Sequence, residues 1–196
     1  SDVYFFHLRG LIGGIEIMDF LGNYDVVVVG AGHAGIEAAH AAAMLGAKTA
    51  IFTLTLDFIG NMPCNPHIGG SAKGIVVREI DALGGLMAIA ADHRPLQMKM
   101  LNTGKGPGVQ CLRSQQDKKG YPAFIQSLLD QTPNLTIIEE EVKDLLYDDK
   151  RVYGVVLSSK KTLNAKAVIL TTGTYMNGRI ISGRDVFEGG PDGEKP

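Results

Sequence analysis

Three groups of residues have types and spacings suited to chemistry. Gly30-Ala31-Gly32-His33-Ala34-Gly35 fits G-x-G-x-x-G. In such a turn the first glycine permits a tight exit from a strand and the second lets a pyrophosphate approach bare backbone. The third lets a helix lie close on the sheet. Unpaired N–H groups and the positive dipole end of the following helix favour phosphate oxygens. The second candidate is Cys64, in a loop rich in glycine and proline. A helix N-terminus close by lowers a thiol pKa and favours the nucleophilic thiolate. The competing reading is a buried, inert cysteine. His67 either serves that thiol as a base or only lines the loop, since no third orienting group is identifiable. The third group is Lys105 with Arg113. From Asn61 to Gly120 eight Lys and Arg stand against four Asp and Glu. Such a groove positions phosphates of a flavin or of RNA, or is simply a solvated face. Cys111 reads as a packing residue, and Glu139-Glu140-Glu141 as a polar strand end.

The elements that must position these groups follow from periodicity. Tyr24-Asp25-Val26-Val27-Val28-Val29 is the β-branched run of a strand buried on both faces. Ile36 to Leu45 reads as a helix with Gly46 as its stop, and Lys48 to Thr53 as the second strand of a βαβ unit. The acidic residue usually found about 20 positions on, which holds a ribose hydroxyl, is missing. Thr53 or backbone stands in for it. Leu54 to Gly70 is expected to be irregular, with Ser71 capping a helix to about Leu83 whose stripe is Val76, Ile80 and Leu83. A short helix over Leu86 to Asp92, a strand over Gln97 to Leu101 and a glycine loop over Asn102 to Gly108 follow. Tyr121 to Gln131 is a helix with Phe124, Ile125, Leu128 and Leu129 inward. Strands at Leu135–Ile138, Val142–Tyr147, Val152–Leu157 and Ala167–Leu170 then run without a helix between them. That is a β-meander, which favours a flavin-type domain over continued α/β alternation. Thr171-Thr172-Gly173-Thr174 leaves the sheet at a strand end, where open α/β folds place ligands.

At 196 residues, 45% hydrophobic and 20% charged, the chain suits a globular domain with a sizeable core. A net charge of −2 argues against nucleic-acid binding by bulk electrostatics but leaves room for a local basic face. Two cysteines form neither a disulfide framework nor a metal cluster, so no metal is expected and a cytoplasmic setting is the default. The apolar residues before Met18 are too short and interrupted to span a bilayer and lack a signal-peptide cleavage pattern. Residues 1–17 read as an upstream extension and 18–196 as one domain, with a loop over 189–193 at its end.

Five blocks carry a family resemblance: Gly30 to Gly35, Cys64-Asn65-Pro66-x-Ile68-Gly69-Gly70, Asp81-Ala82-Leu83-Gly84-Gly85, Lys105-Gly106-Pro107 and Leu170-Thr171-Thr172-Gly173-Thr174. In that order and spacing, over Met18 to Pro196, they resemble the N-terminal part of the tRNA uridine 5-carboxymethylaminomethyl modification enzymes, the MnmG or GidA family. His67 replaces a small residue there, and Gly104, Gly108 and Gln110 replace Ser, Ala and Arg. The resemblance implies an α/β, Rossmann-like FAD-binding domain with a parallel sheet plus an antiparallel meander, incomplete at the C-terminus. It implies an enzyme acting at C5 of the tRNA wobble uridine with the GTPase MnmE. Methylene-tetrahydrofolate is then the carbon donor and NADH the reductant, with glycine or ammonia incorporated and the full-length protein a homodimer. It assigns Cys64 as nucleophile and Gly30, Ala31, Gly32, His33, Ala34, Gly35 and Val142 as FAD contacts. Thr172 and Gly173 join them from their place at a strand end. The fragment alone is expected to be inactive. The alternatives are another FAD/NAD oxidoreductase, a folate- and FAD-dependent tRNA methyltransferase, or a non-catalytic flavin- or RNA-binding module.

Overall fold

A computed structural model describes residues 20–62, 65–174, 176, 179–182 and 185–188, the last two segments by backbone alone. The expected extension over 1–17 and the loop over 189–193 lie outside the described residues. Strand β1 (Phe20–Val29) ends in the valine run, with Val26 and Val28 facing one layer and Val27 and Val29 the other. Helix α1 (His33–Met44) starts three residues before the expected Ile36, because the turn needs only Gly30 to Gly32 and Gly35 already lies within the first helical turn. Strand β2 (Thr49–Thr53) is buried at every position.

The stretch expected to be irregular up to Gly70 contains strand β3 (His67–Gly69). Its glycine and proline content argues against a strand locally. Antiparallel pairing with Cys111–Gln116, a strand that sequence periodicity did not reveal, overrides that preference. Ser71 does not cap the next helix: α2 (Lys73–Ala82) has Ala72 at its N-cap and no side-chain cap bond. Its inward stripe is also displaced. Val77 and Ile80 pack on the core, while Val76 and Leu83 are 53% and 89% exposed. Ile80 belongs to both stripes, and the change from Val76 to Val77 beside it turns the inward face by roughly 60° from the expected one. Helix α3 (Met87–His93), strand β4 (Pro95–Leu101), strand β5 (Cys111–Gln116) and helix α4 (Gly120–Asp130) follow. Ile125 and Leu129 of α4 point inward as expected, and Phe124 stacks on His93 of α3 with ring centroids 3.6 Å apart.

Strands β6 (Leu135–Glu139), β7 (Val142–Tyr147), β8 (Val152–Leu157) and β9 (Thr162–Leu170) complete the main sheet, β9 beginning five residues before the expected Ala167. A hairpin of β10 (Arg179–Ser182) and β11 (Asp185–Glu188) stands apart. The main sheet runs β6-β2-β1-β9-β8-β7, with β6, β2, β1 and β9 parallel and β9, β8 and β7 an antiparallel meander. Two residues, Glu140 and Glu141, join its opposite edges. Three chain steps reach at most about 11 Å, whereas a flat sheet of this width would need about 24 Å. The meander must therefore fold back over the parallel strands. The core has that form: Val27, Ala50 and Phe52 cluster with Val155, Leu157 and Leu163, while Val28 and Ile51 pack on Ile36, Ala39, Ile125 and Leu129. The layers are helices, parallel strands and meander. A second sheet, β3-β5-β4, is wholly antiparallel. No helix among the described residues is long and apolar enough to cross a membrane.

Candidate functional site

The turn between β1 and α1 is held by backbone crowding. Gly30 has φ +103, and a Cβ there would stand 2.5 Å from the carbonyl oxygen of Thr171. A Cβ on Gly35 would overlap the carbonyl oxygen of Gly30 and lie 2.6 Å from Thr171 Oγ1. Thr171, just past β9, locks the arrangement. Its N–H donates to Val29 O (2.9 Å), and its hydroxyl lies 3.0 Å from both Val29 O and Gly30 O. Gly32 is the opposite case. It is exposed, and a Cβ on it would meet nothing within 4 Å. It is also the N-cap of α1, with no side chain capping the helix and no acid in the first turn. The first-turn amides of an α-helix have no acceptor within it. A rigid turn with an open, uncapped donor set fits a pyrophosphate.

The structure brings most of the expected cofactor residues to one edge of the sheet. Gly30 to Gly35, Thr172 and Gly173 lie together at the C-terminal ends of β1 and β9, with Gly173 at φ +59. Val142 leaves from the same edge, after β6, but its side chain packs in the cluster under the meander. The Thr53 hydroxyl donates to Thr55 O at 2.7 Å and is buried, so the expected ribose contact by that hydroxyl has its proton already engaged. The acidic run is structural, as expected. Glu139 accepts from Leu56 N, Glu140 from Ser159 N, and Glu141 pairs with Lys143.

Cys64 lies outside the described residues, but both ends of its loop are anchored. Met62 is in the core, and Pro66 O accepts from Gln116 N (2.7 Å) and Gln115 Nε2 (3.0 Å) of β5. β3 separates this loop from α2, so the helix starts nine residues beyond position 64. His67 Nδ1 lies 2.9 Å from Asn65 O, and since a carbonyl only accepts, Nδ1 is the donor in that contact. Lys105 and Arg113 are not brought to the glycine turn. Lys105 sits in a loop knitted by Gln110 Nε2 to Lys105 O, and Arg113 lies on β5. Cys111 is a buried free cysteine, in keeping with a packing role.

Several residues were not foreseen. Glu37, on α1, accepts from the backbone N–H groups of Leu86 and Met87 at 2.7–3.0 Å and so caps α3. Behind the glycine turn, His33 Nε2 and the Tyr121 hydroxyl are buried with no partner among the described residues, their ring centroids 5.7 Å apart. Burial, with the positive charge of Lys73 nearby, lowers the His33 pKa to about 4. Burial, reinforced by Glu37, raises that of Tyr121. Lys73 is itself shifted down by burial and donates to His67 O at 3.1 Å. No local motif flags Glu37, Tyr121 or Lys73, because each is defined by what packs against it; His33 lies within the G-x-G-x-x-G run. Thr171 had a signal, the Thr-Thr-Gly exit from a strand.

A family model described as glucose inhibited division protein A matches residues 25–196. The tRNA uridine 5-carboxymethylaminomethyl modification enzyme MnmG of Caldicellulosiruptor saccharolyticus is 54% identical over 180 residues, 91% of this chain and 29% of that protein. The crystal structure of Aquifex aeolicus GidA superposes with a TM-score of 0.83 at 53% identity, over 88% of this chain and 29% of that one. At 17% identity the myxobacterial halogenase CndH, described as a new variant of FAD-dependent halogenases, shares the fold alone, with a TM-score of 0.55 over 80% of this chain and 38% of its own. The chain thus spans under a third of the length of that MnmG and of that GidA. The match over residues 25–196 shows that the chain belongs to the glucose inhibited division protein A family.

Proposed function

We propose that residues 18–196 form the flavin-binding part of an enzyme that modifies C5 of the wobble uridine in tRNA. The observation that carries this reading is the glycine turn, rigid at Gly30 and Gly35 and open at Gly32. It occurs in a chain more than half identical to a relative named for that modification. FAD, when bound there, would supply the redox chemistry. The amides from Gly32 to Gly35, with Ala31, His33 and Ala34 shaping the turn, hold its pyrophosphate. Thr172 and Gly173, just past the end of β9, and Val142, at the start of β7, would supply its further contacts.

In this reading Cys64 is the nucleophile. Its thiolate adds to C6 of the uracil, the C5–C6 π electrons move to C5, and C5 becomes able to attack a one-carbon electrophile. Methylene-tetrahydrofolate would provide that carbon and leave as tetrahydrofolate, and glycine or ammonia would provide the amine; this transfer is redox-neutral overall, and NADH would serve to reduce the flavin. Loss of the C5 proton and departure of the thiolate then restore the ring. The partners are tRNA and the GTPase MnmE, acting in the cytoplasm on a homodimer.

The test is mass spectrometry of wobble nucleosides from cells lacking the full-length protein that carries this chain. Complementation with wild type is expected to restore the modified uridine, and complementation with Cys64→Ser to leave it missing. Normal nucleosides in the deleted strain overturn the function, and full restoration by Cys64→Ser retires that residue as nucleophile.

A further inference from the structure

The second sheet carries a feature that the flavin reading does not use. In its register Lys99 of β4 stands directly opposite Arg113 of β5, and Gln97 directly opposite Gln115. Like charges facing each other across an antiparallel pair destabilise it. Neither cation has an ion-pair partner among the described residues. On the far side of Arg113 the register places Gly69 of β3, so no side chain there crowds the guanidinium. Gln97, Lys99, Leu101, Arg113 and Gln115 line one hollow, with no carboxylate among them. Two unneutralised cations flanked by amides on a rigid sheet make a receptor for a bridging anion.

We propose that this hollow binds the phosphodiester backbone of the RNA substrate, beside the base presented to the loop that contains Cys64. The choice of RNA rests on the function proposed above; the anion site rests on the sheet itself. Two observations favour an RNA phosphate over the flavin's own. The turn at Gly32 proposed to hold the pyrophosphate belongs to the other sheet. The hollow is also open, with Lys99 and Gln97 exposed. Its position suits a substrate contact. Gln115 lies two residues from Arg113, about 7 Å along the strand, and donates to Pro66 O, which fixes the end of the cysteine loop. A phosphate held by Lys99 and Arg113 would set the register of the strand whose base reaches that loop.

The experiment uses the full-length, FAD-loaded protein carrying this chain and a fluorescent anticodon stem-loop transcript with an unmodified wobble uridine. Binding is read by anisotropy from 50 to 200 mM KCl. Lys99→Gln and Arg113→Gln are each expected to weaken binding roughly fivefold to tenfold. Each should flatten the slope of log K against log salt by about 0.7–0.9, and the double variant by nearly twice that. Lys99→Arg and Arg113→Lys should keep most of the slope, which a purely structural role of these side chains would not require. Flavin affinity should match wild type throughout. An unchanged salt slope in the double variant overturns the proposal, as does flavin affinity that falls in step with RNA affinity. Wild type that binds no RNA overturns the proposed function itself, and so is distinguishable from either result.

Discussion

The glycine turn and the β3-β5-β4 sheet are both built on close backbone approach, but they obtain it differently. At the turn, the backbone of Gly30, Gly35 and Thr171 packs too closely to admit a side chain, and the exposed face at Gly32 is almost featureless. At the second sheet, Gly69 (φ +113) lets β3 lie against Leu112, and the exposed face is crowded with Lys99, Arg113 and three glutamine or leucine neighbours. In the readings proposed above, the first region would recognise with backbone, so its specificity would lie in shape. The second would recognise with side chains, so its specificity would lie in charge and could change without disturbing the fold.

The sharpest way to break this comparison is at the turn. Gly35→Ala forces a Cβ onto the Gly30 carbonyl, a backbone atom that cannot swing away. The expected loss is about 3 kcal/mol or more, read as a collapse of the urea midpoint together with loss of bound flavin. Gly32→Ala separates the two effects. With φ at −73 and open space around the new methyl, stability should stay at or slightly above wild type. Flavin affinity, measured by fluorescence titration, should nevertheless fall at least tenfold. Equal stability losses in both variants would mean that crowding at Gly30 and Gly35 is not what fixes the turn.

At the second sheet, Gly69→Ala meets both an unfavourable φ and the Leu112 carbonyl. An intermediate loss of about 2 kcal/mol is expected. Amide exchange should quicken in β3 and β5 while β1 and β2 stay protected. If β1 exchanges as fast as β3, the two regions are one cooperative unit and the contrast between them fails.

These two regions were unequally legible in the sequence, and for the same physical reason. Gly30 to Gly35 is local: a valine strand, a glycine turn and an alanine-rich helix stand within about twenty residues, so periodicity alone exposes them. The meander was visible too, because its strands pair with sequence neighbours. β3 and β5 were not. They lie about forty residues apart, and β3 has only His67, Ile68 and Gly69 with which to announce itself. The partial rotation of α2 is the same failure on a smaller scale. Its stripe is set by the surfaces that Val77 and Ile80 meet, not by the apolar spacing of the helix itself. At the site, the glycines and the Thr171–Gly173 exit could be read directly. Glu37, Tyr121 and Lys73 could not, since each acts on an element remote in sequence.

Thr171 tests how much of the turn's rigidity is carried by hydrogen bonds and not by crowding. Thr171→Val keeps the shape and deletes a hydroxyl that bridges Val29 O and Gly30 O. A loss of about 1–2 kcal/mol is expected, with Thr171→Ser recovering most of it. A neutral Thr171→Val in thermal or urea unfolding would leave backbone crowding as the sole cause.

The smallest expected effect comes from His33, on the turn itself. Its imidazole is mostly buried, Nε2 has no partner among the described residues, and its pKa in the folded chain is about 4 against 6.5 for an ordinary histidine. A depressed histidine pKa means that the unfolded chain binds the proton more readily. Stability contributed by this group is therefore lost as pH falls below about 6.5, and the loss levels off below about 4. Between pH 7 and 5.5 the linkage is worth about 1 kcal/mol. Carboxylates titrate mostly below this window, so the comparison of interest is wild type against His33→Gln, whose amide carries no charge. The variant should lose about 1 kcal/mol less than wild type over that interval in urea unfolding. Because the rim of the turn does not titrate there, Gly32→Ala should keep the full wild-type decline, tying the acid sensitivity to the side chain behind the turn and not to the backbone at its face.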